Sequence, residues 1–436
     1  MRRWSLVALC GLVAVALLWW RQEGEVEDRL DLVRRELMRS LSQFKVSNKG
    51  DAEALIRDMV SPEFDRKRVM AFGNRIFARE AFFGSAERRK FAEMLASIAS
   101  ENKLPNFVSL FSNQAHGSCY SSKRGVLLPT MVVAKKDGYD QPGILVPNQY
   151  FGALSNWQKE FETFKAAKVS HPRKTRRRQL FWRGAIDFHG TCDGDFGNFA
   201  RFAFVTMAER FPKDLDCKCL KSCNLKKMPS CKGSREQRTI KRQYKNMRNY
   251  STNVSTFRTD FAQYRYLLNL PGRTSGSYSR NLNHLWSLGS SVFLYKSPLI
   301  EWYYPALKHK DTHVSIDIDD ARSLLNQVKK DKHLQKKLEK GAAFVSDTFI
   351  CPKCLVDYLL MTIGALRSHL GLESLIDNDN LLRRQSLLGP LFLNCSAPSI
   401  VEIHYDRRRH QFPRRVLSCQ EAREALFFLN YSHQES

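Results

Sequence analysis

The sequence predicts an α/β protein of two domains. Three observations lead there. At 436 residues the chain can bury two sizeable cores. Short apolar runs alternate with segments of helical spacing along most of its length. The stretch from Tyr264 to Asp320 reads as strand, glycine-rich polar loop, helix and strand, the unit from which parallel sheets are built.

Within that stretch, Leu267, Leu268 and Leu270 suit a buried strand. Pro271-Gly272 ends it, and Thr274-Ser275-Gly276-Ser277 must be loop. Asn281 to Leu288 has helical spacing, with Leu282, Leu285 and Leu288 on one side; Ser291 to Tyr295 returns as a short apolar strand. Such a unit brings backbone N–H groups and a helix N-terminus to one point, which suits a phosphate. Arg273 and Arg280 bracket that point. The chain is therefore read as holding an anionic ligand.

Earlier elements follow the same logic. Met1-Arg2-Arg3 precedes an apolar run, Trp4 to Trp20, at the short end of what crosses a bilayer. The two arginines favour a cytosolic N-terminus. No small-x-small cleavage site follows, so residues 1–21 are read as a signal anchor rather than a cleaved signal peptide. The expected location is the endoplasmic reticulum or Golgi membrane, single-pass, with the body in the lumen. Residues 22–50 read as a stem, in which Leu30, Val33, Leu37 and Leu41 have helical spacing. An N-terminal α/β domain is expected over 51–178, helical to about Ser100 and then strand-like at Val108–Ser112, Gly125–Val133 and Gly143–Val146. A second domain is expected over 179–372, carrying a cysteine-bearing surface insertion at 213–256. Asn198–Phe211 should be a helix, Asp319-Asp320 should cap one running to about Phe344, and Leu355–Leu370 should be another. Residues 373–436 read as a C-terminal extension with a possible strand at Val401–Tyr405.

Ten cysteines lie beyond Cys10, an even set that suggests disulfides in an oxidising compartment. Cys217-x-Cys219-x3-Cys223-x7-Cys231 could bind zinc, but no histidine interleaves, and bridges are the stronger reading. Cys351-Pro-Lys-Cys354 suits a local bridge or two separate ones. Asn249, Asn253, Asn394 and Asn430 sit in glycosylation acceptor triplets, which are compatible with the lumen. A net charge of +26 admits a nucleic-acid or polyanion binder. A luminal body excludes cellular nucleic acid, which leaves a basic surface suited to anionic membranes or glycans.

The residues also carry a resemblance. Tyr266-Leu267-Leu268-Asn269, Gly272, Ser277 to Arg280, Gly289-Ser290 and Glu301-Trp302-Tyr303-Tyr304-Pro305 occur in order, with His313 before a strand and Phe181-Trp182-Arg183-Gly184 upstream. This ordered set resembles glycosyltransferase family 90, which holds the Rumi-type protein O-glucosyltransferases and the capsule-associated xylosyltransferases of the CAP10 domain family. It is good from about Leu180 to Val345, weaker back to about Lys103, and absent at both ends. The resemblance implies a GT-B fold: two Rossmann-like domains facing a donor cleft, with the last helix crossing back to the first domain. It implies transfer of glucose or xylose from a UDP-sugar to a protein or glycan hydroxyl, with inversion and without metal or other cofactor. The alternative is a non-catalytic membrane protein that binds a nucleotide sugar or polyanion.

The chemistry sets the candidate residues. Negative charge grows on the diphosphate as the sugar bond breaks, and arginine beside a helix N-terminus can meet it. Arg280 is the first candidate, then Arg183 and Arg201. Arg273 brackets the same point, and Gly184 and Ser277 belong to the resembled motifs of the donor site; Glu301, just after a strand-like run, could accept both ribose hydroxyls or face solvent as a helix-start acid. Asp317-x-Asp319 resembles a metal pair, but its place before a helix favours an N-cap. Trp302, Tyr303 and Tyr304 suit the core better than base stacking. An inverting transfer needs a general base. The family's Asp falls at His116 here, after Leu104-Pro105-Asn106 and Asn113-Gln114-Ala115. Asp137 and Asp140 are reserve candidates.

Overall fold

The computed structural model describes residues 24–427, apart from 25, 102–103, 114–118, 139–141, 189–195, 221–250, 253–256, 273–280, 378–380, 393–399, 407 and 410. The apolar run 4–20 and all four glycosylation acceptors lie outside these residues. No single helix among the described residues is long and apolar enough to cross a membrane.

The fold class is α/β, as expected, with two large sheets. The first unit contributes β1 (Arg68–Phe72), β2 (Arg75–Arg79), β3 (Phe107–Ser112), β4 (Thr130–Val132) and β5 (Ile144–Leu145). The second contributes β6 (Arg177–Gly184), β7 (Leu215–Leu220), β8 (Ser251–Thr252), β9 (Tyr264–Asn269), β10 (Ser291–Tyr295) and β11 (Val314–Ile316). The chain then returns to the first sheet with β12 (Ile400–Ile403) and β13 (Arg414–Leu417).

The first sheet has the order β13-β12-β2-β1-β3-β4-β5. It is parallel only across β3, β4 and β5; β13 to β3 pair antiparallel. The parallel part of the expected Rossmann-like first domain is thus β3-β4-β5, extended on one side by antiparallel strands. The β1–β2 hairpin fell within a stretch read as helical. Its turn is Gly73-Asn74, both with positive φ (54° and 61°), the geometry a two-residue hairpin requires. The C-terminal extension is a working part of this sheet. Arg75 forms an ion pair with Glu402 where β2 lies beside β12.

The expected stem is also part of the body. Residues 26–41 are helical, and Val33, Leu37 and Leu41 are buried against the core. Arg29 donates to Ala306 O at 3.3 Å and pairs with Asp311. The spacing that predicts the helix also predicts an apolar face, and that face docks.

In the second unit every strand pair is parallel, in the order β8-β7-β6-β9-β10-β11. Counted along the chain this is 3-2-1-4-5-6, the doubly wound arrangement. The expected insertion therefore begins inside the sheet. In β7, Leu215, Cys217 and Cys219 are buried, while Asp216 and Lys218 give the sequence its polar look. Cys217 is a buried free thiol, and Cys219 is disulfide-bonded. Cys351 and Cys354 form a local bridge.

The helix after β11 is two helices, Ala321–Lys330 and Lys332–Val345. Asp331 breaks them and caps the second by accepting from Leu334 N at 2.9 Å. Pro352–Leu370 crosses back to the first unit, where Tyr358 Oη donates to Leu145 O at 2.8 Å. The units also share a short antiparallel ladder, Lys135–Lys136 against Leu299–Ile300.

Candidate active site

In an open parallel sheet a ligand binds beyond the carboxyl ends of the strands, where the strand order reverses. Here that point lies between β6 and β9. The carboxyl end of β6 is Arg183-Gly184, and the end of β9 leads into Leu270-Pro271-Gly272.

Several contacts draw the surrounding segments together. The helix Phe196–Arg210 starts against the loop after β9. A Cβ on Gly197 would lie 2.3 Å from Gly272 O and 2.9 Å from Pro271 O, so only glycine allows this approach. Asn198 fixes the preceding loop: its Oδ1 accepts from Asp187 N at 3.2 Å, and its Nδ2 donates to Asp187 O at 2.8 Å. From the other side, Asn281 Nδ2 donates to Arg183 O at 2.9 Å. Asn281 immediately precedes the short helix Leu282–Leu285. The next motif, Gly289-Ser290, has a structural role. Gly289 has a φ of 69°, and Ser290 Oγ donates to Tyr264 O at 2.6 Å.

Two of the expected arginines stand at this point and differ in kind. Arg183 already has a carboxylate. Its Nη2 donates to Asp216 Oδ1 at 2.7 Å, its Nη1 donates to Asp216 O at 2.7 Å, and the guanidinium lies over Phe181 at 4.3 Å. Tyr264 Oη donates to the other carboxylate oxygen of Asp216 at 2.6 Å. Burial first, and then Asp216, push the Tyr264 hydroxyl up to about 12. Arg183 is thus held as a cross-strand tie at the carboxyl end of β6. Gly184 follows it because Trp182 occupies the space of a side chain there, 2.4 Å from a built Cβ.

Arg201 lies in the second turn of the helix Phe196–Arg210. Its Nη1 donates to Ala185 O at 2.8 Å, just past the end of β6, and its guanidinium lies 5.8 Å from the Trp182 ring. No carboxylate pairs with it among the described residues, and its shielded Nε has no partner there. Burial alone pulls the guanidinium down to about 10. Among the described residues it is a cation without a matching anion at the strand reversal.

Arg273, Ser277, Arg280, His116 and Asp140 lie outside the described residues. Asp137 is exposed, and its N–H donates to Pro298 O at 2.8 Å at the end of the inter-unit ladder.

Glu301 lies elsewhere than expected. It is fully buried, at 0 % exposure, and its Oε2 accepts from Asn148 Nδ2 at 3.0 Å across the two units. Asn148 and Asn283 exchange amide hydrogen bonds at 3.0 Å. Burial raises the Glu301 carboxyl to about 8, against smaller lowering from Asn148 and Tyr304. This carboxyl joins the two units through Asn148. Trp302 and Tyr303 are core, with Trp302 stacked on Tyr358 at 4.1 Å.

Asp317 is a cap. Its Oδ1 accepts from Asp319 N and Asp320 N at 3.0 Å, and its Oδ2 pairs with Lys296 at 2.8 Å. Among the described residues no group of acidic, His or Cys side chains could hold a metal. His313 is held by Thr312 and Ser315 at 3.0 and 2.8 Å, and burial lowers it to about 4, so its ring is neutral.

No protein-family model and no curated protein sequence matches this chain. Solved structures with a related arrangement include HepE of Anabaena in complex with UDP and glucose: 8 % identity, TM-score 0.34, covering 63 % of this chain and 76 % of that one. A glycosyltransferase of Rickettsia africae gives 13 %, 0.29, 55 % and 64 %, and the trehalose-6-phosphate synthase OtsA gives 10 %, 0.30, 58 % and 55 %. Similarity this distant says nothing about individual residues or chemistry.

Proposed function

We propose that the protein is a glycosyltransferase of the GT-B type. It moves a sugar, glucose or xylose, from a UDP-sugar to a hydroxyl of a protein or glycan. One observation carries this reading: Arg201, with no carboxylate partner among the described residues, stands at the reversal of a 3-2-1-4-5-6 parallel sheet. A half-buried cation at that place suits an anionic ligand, and a nucleoside diphosphate has the right charge and the fold's usual crevice. The sequence resemblance narrows that diphosphate to a UDP-sugar.

The chemistry needs little else. As the bond from the anomeric carbon to the β-phosphate oxygen breaks, its electron pair stays on the diphosphate. In this reading Arg201 meets that charge, and Arg273 and Arg280, which follow β9 in the sequence, add to it. The acceptor oxygen attacks the opposite face of the sugar, which inverts the anomeric carbon. His116 takes the acceptor proton as general base. Arginine does the work here that a metal does elsewhere. The anchor reading of residues 1–21 places the enzyme in the endoplasmic reticulum or Golgi membrane, facing the lumen.

A panel of UDP-sugars, each assayed for UDP release with the purified full chain, tests the reading. Release from UDP-glucose or UDP-xylose is expected. Tight UDP-sugar binding without release, on any acceptor, would favour the non-catalytic alternative. The absence of UDP binding would end the proposal.

A further inference from the structure

Sugar transfer leaves the motif Cys351-Pro-Lys-Cys354 without a role. The structure puts its bridged sulfurs at the start of the helix Pro352–Leu370, 19 residues long, with Cys351 as the N-cap. Pro352 fills the first helical position, where a missing N–H costs nothing. Cys354 N donates to Cys351 Sγ at 3.1 Å. The two sulfurs differ in setting. Cys351 packs against the core, whereas the Cys354 sulfur lies at the surface, 3.2 Å from Asp347 O. Lys353 stands between them in the sequence, exposed, and pairs with Asp357 at 2.6 Å.

A bridge here adds little to the fold. It joins residues three apart in sequence, and the constraint a disulfide places on the unfolded chain shrinks with loop length. The turn has other supports. Trp157 Nε1 donates to Ile350 O at 2.8 Å, Leu355 N donates to Cys351 O at 3.0 Å, and Ile350 and Leu355 are fully buried. Reduction also strands neither sulfur. A Cys351 thiolate keeps the Cys354 N–H and the positive end of the helix, and a Cys354 thiol can donate to Asp347 O.

We infer that Cys351–Cys354 is an exchange-active disulfide that reacts with a small anionic thiol of the glutathione class. A glutathione thiolate attacks the outward sulfur of Cys354. The Cys351–Cys354 bond breaks, and its electron pair leaves on Cys351 Sγ, where the helix N-terminus and the Cys354 N–H hold it. Cys354 then carries the glutathione as a mixed disulfide. A second glutathione thiolate attacks the glutathione sulfur. Oxidised glutathione leaves, and the electron pair of the broken bond goes to Cys354 Sγ, which takes a proton. One disulfide is reduced and two thiols are oxidised to one disulfide. Of the two protons the thiols give up, one goes to Cys354 and the other stays in the solvent while Cys351 is a thiolate. Lys353 favours the approach of an anionic thiol. The inference does not depend on sugar transfer.

The test uses the purified full chain, equilibrated in glutathione buffers of rising reducing power. Free thiols are alkylated, the remaining bridges are reduced and alkylated with a heavy reagent, and mass spectrometry reads Cys351, Cys354 and Cys219. Cys219, disulfide-bonded and buried in β7, is the internal reference. The Cys351–Cys354 bridge should open at a ratio of squared reduced glutathione to oxidised glutathione at least about tenfold below that for Cys219. Acid-trapped intermediates should carry glutathione on Cys354 rather than on Cys351. With Cys354→Ser, the alkylation rate of Cys351 should reach half its maximum at least about one pH unit below the roughly 8.5 of an ordinary thiol. Opening of both bridges together, or of Cys219 first, would overturn the inference and mark a structural staple. So would glutathione on Cys351 in place of Cys354, or a Cys351 that titrates as an ordinary thiol in a folded Cys354→Ser protein. The glutathione titration needs no variant, so it decides the matter even where Cys354→Ser fails to fold.

Discussion

Glu301 and Asn148 meet across the two units: the carboxyl oxygen Oε2 accepts from the Asn148 amide at 3.0 Å, with no solvent access to the acid. Asn283 completes the cluster by exchanging hydrogen bonds with Asn148. Neutral amides surround a carboxyl that burial keeps protonated near neutrality. A charged carboxylate here would be desolvated without a cation to compensate it.

This fixes a pH dependence. The folded carboxyl sits at about 8, above its unfolded value of roughly 4.3. Between those values the folded state binds more protons, so the contribution of Glu301 is fully present below the unfolded value and is lost as pH rises towards 8. Glu301→Gln keeps the shape and cannot ionise. Its melting temperature should exceed that of the wild type at pH 8, and the gap should shrink by pH 5. Parallel pH profiles for the two proteins would mean that the carboxyl is already solvated.

The two arginines at the end of β6 should separate cleanly. Arg183 is tied to Asp216, so Arg183→Ala leaves a half-buried carboxylate short of its partner and should lower the melting temperature. Arg201 has no such tie among the described residues. Arg201→Ala should leave the melting temperature nearly unchanged and weaken UDP-sugar binding by about tenfold, the loss of one charge-assisted contact. Calorimetric titration with the UDP-sugar and thermal melting distinguish the two. Equal affinity in a folded Arg201→Ala protein would remove Arg201 from the site.

The second sheet was largely legible in the sequence because its strands are bounded by strong punctuation. Pro271-Gly272 closes β9, and Ser291–Tyr295 was read with its observed bounds. What the sequence hid is mostly tertiary. Asp216 made β7 look like surface, although its charge is spent on Arg183. Glu301 looked like an open acid because nothing local shows Asn148, 153 residues away, closing over it. Among the missed elements, the β1–β2 hairpin left a local signal: Gly73-Asn74 fits a tight turn between two apolar runs. The three amides Asn148, Asn198 and Asn283 left none, since a lone asparagine reads equally well as a turn.

Close backbone approach gives a test of the packing. Gly341 lies against Asp311 and Thr312, where a Cβ would sit 2.1 Å from a carbonyl oxygen and 2.6 Å from a Cα. Backbone on both sides cannot rotate away as a side chain can. Gly341→Ala should cost about 1–3 kcal/mol despite its better helix propensity. A denaturant titration measures it. A stabilised Gly341→Ala protein would show that the helix Lys332–Val345 sits further from the Asp311 loop.

The base is the remaining chemical assignment, and it can be tested apart from donor binding. By sequence resemblance His116 falls where the family has a carboxylate, and as the proposed base it would take the proton of the acceptor hydroxyl. His116→Ala should lower turnover by roughly 10²–10⁴-fold while UDP binding stays within about twofold. His116→Asp should recover part of that loss, because a carboxylate can take the same proton; a residue that merely packs would gain nothing from the exchange. Chelation should leave the wild-type rate unchanged if arginines carry the diphosphate charge, and a strict manganese requirement would return Asp317 and Asp319 to consideration despite the turn bonds that Asp317 accepts. If His116→Ala turns over normally, the proton goes elsewhere, and Asp137→Asn, on the inter-unit ladder, becomes the deciding variant.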